Sequence, residues 1–169
     1  VPLHREMSAP EVGAILRSSR ARVLIASASL LADAEQTITQ NNLERLYVIG
    51  APARGGCHDY GELRCEGGTV ASYRGSEDSM GFVLHTSGSD GHAKGVMLSW
   101  RNLNAILDLR LSHTGLGPDS VSVVASCLTQ SVGLHQSLAL LAAGGTLVLL
   151  DGYDIERMAN AIHRYRPTH

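Results

Sequence analysis

The sequence predicts an α/β fold: a layered, largely parallel sheet flanked by helices. Three observations carry this. Short apolar runs of strand length alternate with stretches whose apolar side chains recur at helical spacing. Glycine, proline and capping residues fall between them. The one glycine-rich loop lies between two such runs and leads into extended chain, not into a helix, which makes it the turn of a hairpin.

In chain order, Ser8-Ala9-Pro10-Glu11 is a capping box, and Val12, Ile15 and Leu16 give an amphipathic stripe for a helix ending near Ser19. Residues 22–26, with Val23-Leu24-Ile25, form an apolar run of buried-strand type. Residues 30–40 suit a second helix, and 46–49 a second strand closed by Gly50-Ala51-Pro52. From 53 to 79 glycines and charges crowd in and periodicity is lost, so this reads as loop with one short strand near 69–73. Residues 81–84 and 95–98 are strands on either side of the glycine loop. Ser99 caps a helix carrying Leu103, Ile106, Leu107 and Leu111. Residues 121–125 are a strand and 131–143 a helix, with Leu134, Leu138 and Leu141 expected on one side and Gly144-Gly145 as its stop. Residues 146–150 are a strand, and Asp154 caps a last helix that Pro167 ends. The chain thus divides into an α/β segment at 1–52, an irregular segment at 53–79, and a second α/β segment with the loop at 80–169.

Composition sets outer bounds. The chain has 169 residues, 44% hydrophobic and 18% charged. A chain of this length buries roughly 70% of its unfolded surface, enough for a core. A net charge of −2 gives no footprint for nucleic acid or an anionic membrane. No apolar run reaches the roughly 18 residues of a membrane span, and no signal peptide is visible. Cys57, Cys65 and Cys127 make no disulfide framework, so a reducing cytoplasm is expected. Cys57-His58 with Cys65 matches no usual zinc spacing, so no metal site is expected there.

The stretch from His85 to Trp100 carries the chemistry. Of 14 basic side chains, 13 are arginine and the single lysine is Lys94, inside this loop. Successive small residues let backbone amides turn inward into an anion-binding nest. Thr86, Ser87 and Ser89 add hydroxyl donors, and Gly88, Gly91 and Gly95 the freedom to turn. A lysine ammonium is a compact, mobile charge that follows a moving phosphate better than a planar guanidinium. The spacing is not that of a P-loop, because Ala93 precedes Lys94 and Gly95 follows it, nor of a dinucleotide fingerprint, whose glycines fall differently. From composition alone, a hairpin turn without ligand fits equally well.

Residues 86–96, Thr-Ser-Gly-Ser-Asp-Gly-His-Ala-Lys-Gly-Val, resemble the T-S-G-[ST]-[TSE]-G-x-P-K-G-V signature of the adenylate-forming superfamily of acyl- and aryl-CoA synthetases, luciferases and peptide-synthetase adenylation domains. Met97-Leu98-Ser99-Trp100-Arg101-Asn102-Leu103 is similar to the M-L-[ST]-H-x-N-L that follows it there. Val1-Pro2-Leu3 with residues 21–25, the 141–149 segment, and 162–169 resemble further family segments in the same order. The resemblance implies a carboxylic acid activated by ATP to an acyl-adenylate with loss of pyrophosphate. The acyl group then passes to a thiol of coenzyme A or a carrier protein. It implies that Thr86, Ser87, Gly88, Ser89, Asp90, Gly91, Lys94 and Gly95 cradle the β- and γ-phosphates with Mg²⁺ present, and that Lys94 is the catalytic cation stabilising pyrophosphate.

The departures are specific. Asp90 replaces a small hydroxyl residue, and a carboxylate about 4 Å from a phosphate charge costs roughly 4 kcal/mol at an effective dielectric of 20. Thr129 and Gln130, followed by Gly133, replace the family's aromatic and histidine beside the acyl pocket. Cys127 reads as a small core residue, not a nucleophile. The chain lacks the later Y-G-x-T-E and T-G-D segments and the small domain with its own lysine. It therefore reads as part of a larger adenylation domain, inactive alone, whose partners are an acid, a thiol and the rest of the parent enzyme. Two alternatives remain open: a degenerate, non-catalytic module acting as scaffold in a biosynthetic assembly, and an unrelated phosphate-binding α/β protein.

Overall fold

The computed structural model describes residues 1–30, 41, 43–51, 56–64, 75–86 and 94–169. They fall into two units, one of residues 5–74 and the other of residues 1–4 with 75–169.

The 5–74 unit opens with α1 (Ala9–Ser19). Glu11 accepts from the Ser8 backbone N–H at 2.8 Å and from its hydroxyl at 2.7 Å, closing the capping box. The helix stops at Arg20, which turns left-handed at φ +50°. Strands β1 (Val23–Ser27) and β2 (Arg45–Ile49) pair in parallel, Leu24 beside Leu46 and Ala26 beside Val48. The Arg22 guanidinium meets the Glu44 carboxylate at 2.6 and 2.8 Å just before both strands begin. A two-residue strand β3 (His58–Asp59) adds in parallel to β2 and runs into a 3₁₀ turn (Tyr60–Leu63). Ile15, Leu16, Leu24, Leu46, Tyr47 and Val48 are the buried apolar side chains here.

One expectation changes in this unit, and two others fall largely outside the described residues. Residues 22–26 read as a strand buried on both faces, yet Val23 and Ile25 are each 48% exposed and only Leu24 is buried. The irregular segment does hold a strand, at 58–59; the 69–73 position expected for one lies outside the described residues. Residues 28–30 are helical, and the rest of the helix expected over 30–40 lies outside the described residues as well.

The larger unit has two parts. β4 (Met80–Thr86) and β5 (Lys94–Ser99) form an antiparallel hairpin. It feeds directly into α2 (Trp100–Thr114). The Ser99 hydroxyl accepts from the Asn102 amide at 3.2 Å, and Asn102 Oδ1 accepts from the Ser99 N–H at 3.0 Å. The start of α2 is tied to the approach of β4: Trp100 N–H donates to the Ser79 carbonyl at 3.1 Å and Arg101 N–H to the Glu77 carbonyl at 2.8 Å. The Arg101 guanidinium also meets Asp78 at 2.8 Å and Glu77 at 3.2 Å. Those carboxylates offset a cation placed at the positive end of a helix. Phe82 and Trp100 pack edge to face with ring centroids 6.4 Å apart.

The second part is a strand–helix–strand unit: β6 (Val121–Val124), α3 (Ser131–Ala142) and β7 (Thr146–Leu149), with β6 and β7 parallel. α3 packs on α2 and on both strands. The last helix, α4 (Ile155–Tyr165), starts where Asp154 Oδ1 accepts from the Arg157 amide at 2.7 Å and lies against β6. Beyond it Thr168 N–H donates to the Val121 carbonyl at 2.8 Å.

The core of this unit centres on Leu84, Leu103, Val124, Leu134, Ala139 and Leu140. In α3 the expected inward stripe of Leu134, Leu138 and Leu141 is rotated. Leu140 is fully buried, whereas Leu141 is 56% exposed. Among the described residues the strands form three sheets, one parallel triplet, one parallel pair and the antiparallel hairpin. The fold class stands: α/β, with parallel sheets and flanking helices.

Candidate functional site

The hairpin positions the candidate site. Its register sets Thr86 opposite Lys94 and His85 opposite Gly95. The last pair of the ladder therefore presents one hydroxyl and one ammonium stem at the same end, both exposed. The Thr86 hydroxyl approaches the Lys94 carbonyl at 3.5 Å, a weak closing contact. Ser87, Gly88, Ser89, Asp90 and Gly91 lie outside the described residues. What is on view is the neck that holds the loop: two strands, cross-linked by a β ladder and anchored through Ser99 and Trp100 to α2.

The ammonium of Lys94 and the hydroxyl of Thr86, side by side at the end of the ladder, are groups that can neutralise and hydrogen-bond an anion. Lys94 engages neighbouring groups already and is exposed, so it is held near the mouth without being buried. No group of three His, Cys, Asp or Glu side chains stands together among the described residues.

The second group of site residues sits at the C-terminal end of β6, on a different sheet from the hairpin. Gln130 is the N-cap of α3, and Thr129 precedes it. The Thr129 hydroxyl and the Cys127 thiol lie 3.0 Å apart, which occupies the thiol locally. Gly133 is buried under the loop: a Cβ there would meet the Cys127 carbonyl at 2.5 Å and the Ser126 carbonyl at 2.7 Å. Only glycine lets the helix pass this close beneath the backbone it follows. Thr129, Gln130 and Gly133 are thus brought together as one strand-to-helix turn. In open α/β sheets this end of a parallel strand is where ligands bind.

Two histidines were not singled out as site residues. His85 lies on β4 next to Thr86, with Nδ1 buried and without a hydrogen-bond partner. His135 is buried in α3, with Nε2 likewise unpartnered, while its neighbour Gln136 donates to the Ser122 hydroxyl at 3.1 Å. Burial holds both imidazoles below the ordinary histidine pKa, helped at His135 by the nearby Arg110 charge. The signal for His85 was its position one residue before the loop. Nothing local in the sequence marks His135 as buried. A cleft of about 310 Å³ lies elsewhere, between the end of β7 and α4, with Arg157, Asn160 and Arg164 on its helical wall. None of the described site residues lines it.

A hairpin that brackets the glycine-rich segment is followed at once by a capped helix and a parallel strand–helix–strand unit, which makes this an α/β protein. The chain belongs to the family of AMP-binding enzymes, whose pattern it matches over residues 1–169. It is similar to a probable CoA ligase, CCL5, of Humulus lupulus, at 31% identity over 99 residues, covering 57% of this chain and 18% of that protein. It is also similar to malpibaldin synthetase of Mortierella alpina, at 26% identity over 172 residues, covering 99% of this chain and 3% of that protein. The fold matches a long-chain-fatty-acid-CoA ligase of Archaeoglobus fulgidus with a TM-score of 0.88 at 22% identity, covering 99% of this chain and 33% of that one. The chain therefore spans a small fraction of the curated relatives and a third of that solved structure.

Proposed function

We propose that this chain is the phosphate-loop-bearing part of an ATP-dependent ligase that activates a carboxylic acid. The ligase forms an acyl-adenylate and pyrophosphate, then a thioester with coenzyme A or a carrier-protein thiol. The observation that carries the reading is the pairing of Thr86 with Lys94 at the end of a hairpin in a chain of the AMP-binding family. The name of one relative, a probable CoA ligase, supports coenzyme A as the acceptor.

The chemistry asked of this part is electrostatic. A carboxylate must approach a phosphate, and both are anionic. The Lys94 ammonium, placed where the chain leaves the β ladder, would neutralise charge on the β- and γ-phosphates and on the departing pyrophosphate. The Thr86 hydroxyl and the loop residues from Ser87 to Gly91 would complete the cradle. Mg²⁺ would arrive with the nucleotide and lower the same repulsion. Thr129, Gln130 and Gly133 would border the acid, with a small hydroxyl and an amide where an aromatic ring and an imidazole are usual. That favours an acid with hydrogen-bonding substituents near its carboxyl end. The single chain, lacking the later segments, would not turn over alone. We place the parent enzyme in the cytoplasm.

Calorimetric titration of the intact protein with MgATP tests the reading. Binding is expected at millimolar affinity or tighter, and weaker by about tenfold or more, or 1.4 kcal/mol, in Lys94→Ala. Absence of binding in the intact protein would overturn the ligase reading and leave the scaffold module.

A further inference from the structure

We propose that His85 is a positioning residue for Lys94. Its ring wedges against Gly95 and so fixes the neck of the hairpin from which the phosphate loop leaves. The proposal rests on the ATP-binding reading above.

His85 and Gly95 face each other directly across the β4–β5 ladder, and the next pair outward is Thr86 and Lys94. A strand glycine has no side chain to pack, so its backbone is the weak point of a ladder. An aromatic ring on the opposite residue restores that packing. Here the space a Cβ of Gly95 would take is bounded by Val83 Cγ1 at 3.0 Å and by the His85 ring, with Nε2 at 3.2 Å and Cε1 at 3.6 Å. Gly95 is thus the seat of the ring, and Lys94 is the residue attached to that seat.

The ring is held by shape. Among the described residues its buried Nδ1 has no hydrogen-bond partner, so none of them anchors the ring at that atom. Burial lowers the pKa of the imidazole, which disfavours a second cation beside the Lys94 stem. A ring seated on Gly95, one pair inside the only lysine, acts by fixing where that lysine starts.

The test combines MgATP titration calorimetry of the intact protein with thermal unfolding, for His85→Phe, His85→Asn, His85→Ala, Gly95→Ala and the double variant His85→Ala/Gly95→Ala. His85→Phe keeps a ring and is expected to bind MgATP within about twofold of the unaltered protein. His85→Asn and His85→Ala are expected to bind about tenfold more weakly while remaining folded at the titration temperature. Gly95→Ala is expected to weaken binding too. In the double variant the new methyl fills the vacated seat, so its loss is expected to be smaller than the product of the single losses. A merely structural role would lower the unfolding temperature and leave the affinity of the folded protein unchanged. Equal affinities in His85→Phe, His85→Asn and His85→Ala, with Lys94→Ala still deficient, would overturn the His85 role and leave the ATP reading standing. Retention by asparagine with loss by phenylalanine would overturn it as well, by moving the role to Nδ1. Failure of the unaltered protein to bind MgATP would sink both.

Discussion

A buried imidazole whose Nε2 has no partner is an unusual thing for α3 to carry, and it makes a pH-dependent weakness. Burial first, and the Arg110 charge second, depress the His135 pKa in the folded chain. Unfolded, the same group titrates near 6.5. The unfolded state therefore binds the extra proton more readily as pH falls. The penalty is absent above about pH 6.5 and grows below it, so stability falls with acidification. His85, depressed in the same direction, adds to the slope. Urea midpoints measured from about pH 7.5 down to about pH 5.5 are expected to drop, and to drop less in His135→Leu. Equal slopes in the two proteins would assign the loss to other groups. At this scale the hydroxyl caps and the single lysine were readable, because each needs only its immediate neighbours. The burial of His135 was not, because what covers it, including α2, is distant in sequence.

The elements show where local pattern suffices and where it does not. The capping box at Ser8–Glu11 and the caps at Ser99 and Asp154 formed where the sequence put them, since each is closed by residues three positions apart. The hairpin flanking the glycine loop also formed as expected. In α3 the residues Leu138-Ala139-Leu140-Leu141-Ala142 are apolar all round the helix, so periodicity fixes its existence but not its rotation. The structure turns Leu140 inward, at 0% exposure, and Leu141 outward. Leu140→Ala is accordingly expected to cost about 2–5 kcal/mol, and Leu141→Ala well under half of that, in paired urea denaturation curves. The reverse order would mean that the helix sits about one residue's rotation away. β3 escaped the sequence because a two-residue parallel strand is made by its partner Tyr47-Val48, not by its own composition. Val23 and Ile25 resembled a strand buried on both faces because an apolar run signals a buried strand without saying how much of the cover lies in residues 5–74.

At the scale of the whole molecule, the chain matches the AMP-binding family over its length and runs from an α/β unit through a hairpin neck to a strand–helix–strand unit followed by a capped helix. The hairpin was legible from two short runs that bracket one loop; its register, with Thr86 opposite Lys94, was not. Thr129, Gln130 and Gly133 were legible only as a set of replacements; the turn that gathers them, with Gly133 passing beneath two carbonyls, was not. The most direct test is ATP–pyrophosphate exchange by the intact protein over a panel of aromatic and fatty carboxylic acids, comparing the unaltered enzyme with Lys94→Ala and Lys94→Arg. Acid-dependent exchange is expected, falling by about 10²-fold or more in Lys94→Ala and only partly restored by arginine, whose planar fork follows a moving phosphate less well. Exchange that proceeds at the same rate without the lysine would contradict the role given to the hairpin.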